Sequence, residues 1–257
     1  MATIITSNTS SISLAGDGNV VFETAGVLIG STGPATAINL SGDDNSLTLH
    51  GAVFGTTSGI STGSAGSSPL GSSIMLGSEG TVNGGDFGIQ MHGGENLITN
   101  FGIITGETAI DFETFNAGME DRVINHGIIH GQRHGVSSEG VHALVLENHG
   151  VIRGGITSVT GSTFNDLIVN TGLMLGNVSL SNGDDRFDNA SGTVEGRVDL
   201  GLGSDTFVGG AAADFVAGGA GVDDITLGDG NDTYLDGGGF FVDGGDTVAM
   251  LLDRKST

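Results

Sequence analysis

The sequence predicts an all-β chain, a right-handed parallel β-solenoid (β-helix) whose coils narrow toward the C-terminus into a two-sided roll. Three observations carry that expectation. A Gly-x-apolar-x-Gly anchor recurs eight times, starting at Gly26, Gly51, Gly80, Gly102, Gly127, Gly150, Gly172 and Gly192. The segments between anchors alternate apolar and polar residues in period two, and none shows a helical period. Between residues 200 and 235 a nine-residue unit then follows itself four times, as LGLGSDTFV, GGAAADFVA, GGAGVDDIT and LGDGNDTYL.

Successive anchors are 25, 29, 22, 25, 23, 22 and 20 residues apart. That is the size of one solenoid coil with about three short strands. Stretches such as AINL at Ala37, GIQM at Gly88, AIDF at Ala109 and NVSL at Asn177 supply further strands. An asparagine stands just before most anchors, at Asn100, Asn125, Asn148, Asn170 and Asn189. One per coil, they should stack into an amide ladder, in a turn expected to need left-handed backbone. Residues 56–72 are rich in Ser, Gly and Thr and read as a surface excursion, and ETFNAGME at 113–120 as a shorter one.

In the nonads an aspartate occupies the sixth position and an apolar residue the eighth, so Asp205, Asp214, Asp223 and Asp232 recur every nine residues. If two nonads make one coil, Asp205 stacks with Asp223 and Asp214 with Asp232. Neighbouring strands lie ~4.8 Å apart. Two carboxylates at that separation repel by roughly 3 kcal/mol at an effective dielectric near 20, so such a column calls for cations. Glycines permit a tight turn with inward carbonyls, and aspartate adds a hard anionic oxygen, which is the donor set of calcium.

The third nonad, GGAGVDDIT, carries the full Gly-Gly-x-Gly-x-Asp-x-apolar-x pattern, and the segment resembles the RTX nonapeptide repeats of secreted bacterial proteins. The resemblance implies a β-roll holding Ca2+ between alternate turns, through the aspartates and the carbonyls of residues such as Gly203, Gly221 and Gly230. Asp185, in the related stretch SNGDDRFD, takes the same role, and Asp229 joins the candidate ligands. The copies are imperfect. Ala212 replaces one fourth-position glycine, Leu200 and Leu227 replace first-position glycines, and Phe241 falls where the next aspartate belongs, followed by a half-copy from Asp243 to Asp246. The expected division is β-helix coils over 1–179 and an RTX-like β-roll over 180–257, continuous with them. Asp121 and Asp166, at the corresponding turn upstream, suggest common descent of all the coils.

Thirty acidic residues against seven basic ones leave a net charge of -23, which argues against nucleic-acid partners. There is no cysteine, hence no disulfide framework, and no apolar stretch long enough for a signal or a membrane span at the N-terminus. The resemblance therefore implies a secreted or cell-surface protein exported in one step without a cleaved leader. Catalysis is not expected: Lys255 is the only lysine, and Arg122, Arg133 and Arg153 have no accompanying base motif of the kind polysaccharide lyases and epimerases use. Five histidines fall at His126, His130, His134, His142 and His149. Stacking of His126 on His149 could serve a zinc or copper site, but reads better as a solvent-facing polar column. The expected role is structural, as a self-assembling head-to-tail filament, layer or matrix, or as an adhesin, with surface polysaccharide a further partner. The alternative is a carbohydrate-binding module or a polysaccharide-active β-helix enzyme.

Overall fold

The computed structural model describes residues 2–31, 33–63, 70–113, 119–138, 140, 142–235 and 247–250. The half-copy from Asp243 to Asp246, the Phe241 break, the tail with Lys255 and most of the 113–120 excursion lie outside them. Among the described residues there is no helix, and strands stack in parallel coil upon coil. One sheet of twelve strands runs the length of the solenoid, from Ala2–Ile5 through Leu97–Asn100, Ala143–Asn148 and Arg186–Asp188 to Asp224–Gly228 and Thr247–Met250. The second sheet covers the other two sides. In the central coils a single strand bends across both, as in Ile103–Glu113, Ile128–Ser137 and Val151–Thr160.

Each side sends one or two apolar residues per coil inward, and in parallel register these residues form columns. The first sheet contributes Val21, Leu47, Ile74, Ile98, Val123, Leu146, Ile168, Phe187, Phe207 and Ile225. The middle side contributes Ile29, Val53, Val82, Ile104, Ile129, Ile152, Met174 and Val194. The third runs from Ile38 and Ile60 through Ile89, Ile110, Val136, Val159 and Val178 to Val198 and Val216. All are buried. At about 1.5–3 kcal/mol per buried aliphatic side chain, these columns are the main cohesive force between coils.

The anchors mark corners. A Cβ on Gly102, Gly127, Gly150 or Gly172 would collide with the carbonyl oxygen of the matching glycine one coil back. The closing glycines Gly131 and Gly154 mark the opposite corner of the middle side, where a side chain would strike the carbonyl three residues on.

The solenoid narrows by losing its middle side. That column ends at Val194, in the strand Thr193–Glu195, which pairs only with the strand before it. Phe187 pairs with Phe207 twenty residues on, and Phe207 with Ile225 after eighteen. The two phenylalanine rings meet edge to face at 5.6 Å and fill the core where the cross-section changes.

Two expectations need correction. Residues 58–62, read as part of an exposed loop, form the buried strand Ser58–Thr62, hydrogen-bonded to Ile38–Leu40 on one side and Phe87–His92 on the other. Its small residues are there because the coil is tight: a Cβ on Gly59 would lie 2.6 Å from Val82 Cγ1 and 2.7 Å from Gly88 O. The ladder asparagines, moreover, are not left-handed. Among described non-glycine residues only Asp44, Glu95 and Ser181 have positive φ.

Candidate metal centre

Two edges of the first sheet carry polar side chains pointing into the turns. At the leading edge, just before each strand, Asp166, Asp185, Asp205 and Asp223 follow one another in register. Each stitches two coils together. The N–H of Asp166 donates to Asp185 Oδ1 at 2.7 Å, that of Asp185 to Asp205 Oδ1 at 2.8 Å, and that of Asp205 to Asp223 Oδ1 at 2.9 Å. At the trailing edge the five ladder asparagines are buried, each Nδ2 donating to the next Oδ1 at 2.7–2.8 Å. The Oδ1 atoms of Asn100, Asn125, Asn148 and Asn170 also accept the N–H two residues on, as in Gly102 N–H to Asn100 Oδ1 at 3.0 Å. That local ring shapes the turn without left-handed backbone.

The ladder ends on an aspartate. Asn189 Nδ2 donates to Asp214 Oδ1 at 2.8 Å, and the Asp214 N–H donates to Asp232 Oδ1 at 2.8 Å. The two pairs expected from the nonads, Asp205 with Asp223 and Asp214 with Asp232, are thus neighbours across one eighteen-residue coil. Asp185 joins the leading column as expected. Asp229 is exposed at the third position of its nonad, where the coil before has Ala211. Gly203 and Gly221 stack with φ of +149° and +137°, and a Cβ on Gly221 would collide with the Gly203 carbonyl oxygen. Gly230 is exposed and stacks on Ala212, whose carbonyl a Cβ would also strike.

A purely structural role accounts for one oxygen of each carboxylate. The second oxygens of Asp185, Asp205 and Asp214 are buried without a hydrogen-bond partner. Burying an unpaired carboxylate costs several kcal/mol, so each must take up a proton or a cation. Burial pushes Asp185 up to about 8, and repulsion from Asp166, Asp205 and Asp184 adds to it against the lowering hydrogen bond from Asp166 N–H. Burial likewise raises Asp205 and Asp214 to about 6, with Asp223 and Asp232 respectively adding repulsion.

The donor set is oxygen alone: carboxylates and glycine-turn carbonyls, with no histidine or cysteine between residues 180 and 235. Such a set suits a hard cation that takes six to eight oxygens, as calcium does. No group of three or more His, Asp or Glu side chains converges on one point among the described residues. These turns instead offer two carboxylates per step, and backbone oxygen must supply the rest.

Asp166 is a further member of the leading column outside the nonads, and its spacing to Asp185 of nineteen residues nearly repeats that of the later column. It closes the column. Its Oδ1 accepts from Leu144 N–H at 2.7 Å and Ser162 Oγ at 2.8 Å, and its Oδ2 from Ser162 N–H at 2.7 Å.

The histidines do not form a metal centre. His126 lies face to face with both Phe101 and His149, each at 4.8 Å, and His149 Nδ1 is 2.7 Å from Thr171 Oγ1. Imidazole lone pairs lie in the ring plane, so stacked rings direct them side by side instead of toward a shared ion. His142 is separate, buried with its Nδ1 3.0 Å from Asp121 Oδ2.

Fold and edges together define a parallel β-solenoid that ends in a carboxylate-lined, calcium-binding roll. Residues 200–234 match the family model of the RTX calcium-binding nonapeptide repeat, in four copies. The C-terminal part of this chain is RTX repeat, and Ca2+ is the ion such repeats bind. No curated protein and no solved structure matches the chain.

Proposed function

We propose that this protein is a noncatalytic structural component, secreted or held at the cell surface, whose C-terminal roll sets only when calcium is present. One observation carries the reading: within the matched repeats, buried aspartates stand one coil apart with the second oxygens of Asp205 and Asp214 unpaired. Calcium at Asp205/Asp223 and Asp214/Asp232, completed by carbonyls of the glycine turns, converts repulsion between coils into cohesion.

Export fits the same chemistry. In a calcium-poor cytoplasm the charged roll stays open, and at extracellular calcium, ion binding adds directly to folding free energy. Assembly of copies, head to tail through solenoid ends, belongs to this reading.

Circular dichroism and melting curves after chelation, then during calcium titration, test the central claim. Chelation should lower the melting temperature and part of the β signal, both restored by calcium. An unchanged signal and melting temperature would sink it. Sedimentation with and without millimolar calcium reads the assembly, and monomers under both conditions would rule it out.

A further inference from the structure

We propose that the outer face of the third side carries a binding groove for an uncharged polysaccharide, laid along the solenoid axis from Thr157 to Phe215. The groove lies outside the calcium turns and adds a ligand to the structural role without resting on it.

Two ranks of polar side chains form its walls. Parallel register sets Thr157, Asn177 and Arg197 in successive coils, and beside them Thr160, Ser179 and Asp199. Neighbouring members of a rank are ~4.8 Å apart. The ranks lean toward each other, since the Thr157 and Thr160 hydroxyls meet at 2.9 Å. Two residues separate the ranks there, but only Val178 separates Asn177 from Ser179. At that shift in register, next to Gly176 with φ +121°, the face sinks into a depression of about 220 Å³ lined by Thr157, Asn177, Ser179, Arg197 and Asp199.

The polar groups of the depression suit a sugar. Arg197 N–H donates to Asn177 Oδ1 at 2.9 Å, which holds the amide in place and leaves its own N–H groups without a partner among the described residues. Ser179 Oγ has none there either, and the Arg197 guanidinium is paired with the Asp199 carboxylate. An amide donor, a hydroxyl and a carboxylate acceptor therefore stand at fixed places. Sugar hydroxyls, each donor and acceptor at once, are groups that use all three. One coil further, in the rank of Arg197, comes Phe215, 40% exposed. A pyranose ring has C–H faces as well as hydroxyls, and polar groups beside an exposed aromatic ring accept both.

Charge decides the class of sugar. Asp199 neutralises Arg197, so the depression has no spare positive charge, and the chain carries a net charge of -23. A uronate or sulfated polymer meets repulsion that salt does not screen within a Debye length of ~8 Å. The ranks repeat along the axis, which fits a linear chain better than a single sugar.

The test uses the full chain at saturating calcium, so that a loss of binding is not a loss of the roll. Cellohexaose, laminarihexaose, mannohexaose and xylohexaose are titrated by calorimetry, with a chondroitin sulfate hexasaccharide as the anionic counterpart. At least one neutral hexasaccharide should bind with a Kd below about 1 mM, and the anionic one at least about tenfold more weakly. N177A and D199N should each weaken that binding about three- to tenfold, the range that one hydrogen bond accounts for, and T48A, on the outer face of the first sheet, should leave it unchanged. A crystal structure with the bound hexasaccharide gives a readout independent of any variant's folding, with the sugar chain expected over Asn177 and Asp199. Binding of none of the four, tighter binding of the anionic one, unchanged affinity in both variants once folded, or a sugar chain seated elsewhere would each overturn the groove.

Discussion

The side-chain amide of Asn189 donates to the Asp214 carboxylate at 2.8 Å, and at that hydrogen bond an amide ladder becomes a carboxylate column. The ladder has a direction. Every Nδ2 from Asn100 to Asn189 points toward the C-terminus, so the donor end of a polarised chain meets the anion. The same edge is held by neutral amides where the coil is wide and by charged groups where it is narrow.

Removing one rung should expose how much the neutral part contributes. Asn125→Ala removes the shorter hydrogen bond of both Asn100 Nδ2 and Asn148 Oδ1, leaving them the 3.3 Å bonds to Ile128 O and from Gly150 N–H. A lost hydrogen bond costs about 0.5–1.5 kcal/mol where the group keeps another partner, so the loss of two should be about 1–3 kcal/mol. Urea unfolding at fixed saturating calcium measures it. A loss under about 1 kcal/mol would mean that water or neighbouring carbonyls replace the rung.

The glycine turns should be equally intolerant. Gly221→Ala puts a methyl group at φ +137° and into the Gly203 carbonyl oxygen. Backbone strain alone costs about 1–2 kcal/mol, and the collision adds to it. Calcium titration followed by circular dichroism should show the transition displaced to higher calcium or abolished. Ala212→Gly, at a position without that strain, should leave it nearly unchanged.

The strand Ser58–Thr62 predicts core behaviour for a residue in a Ser/Gly-rich stretch. Ile60 is fully buried between Ile38 and Ile89. Ile60→Ala should cost about 2–5 kcal/mol. A surface loop would lose next to nothing, so the unfolding midpoint decides between the two.

That stretch also shows where sequence reasoning stopped. Coil period, ladder and aspartate pairs were legible because each is one residue type repeated at a fixed interval, and parallel register turns such an interval into a column. Ser58–Thr62 was not legible, since its inward positions hold one apolar residue, Ile60, and one polar residue, Thr62, while the residues between corners must be small, so the apolar alternation of a strand is missing. The hydrogen bond from Asn189 to Asp214 spans the point where the period changes, so no interval announced it. Asp121 and His142 meet across neighbouring coils through a turn of irregular length, which pattern alone does not align.

Acidity should act in opposite directions with and without calcium. Burial raises Asp166, Asp205 and Asp214 to about 6 and Asp185 to about 8, against an ordinary carboxyl value of 3.8. In the calcium-free fold these groups bind protons more tightly than in the unfolded chain. Their stabilising contribution is complete below the ordinary value and is lost as pH rises through 6 and then 8. The calcium-free protein should therefore melt at a lower temperature at pH 8 than at pH 5. Calcium requires the ionised carboxylates, so its binding releases protons and tightens as pH rises. Under millimolar calcium the fall in melting temperature between pH 5 and pH 8 should flatten or reverse. Parallel pH profiles with and without calcium would show that the buried aspartates are not exchanging protons for the ion.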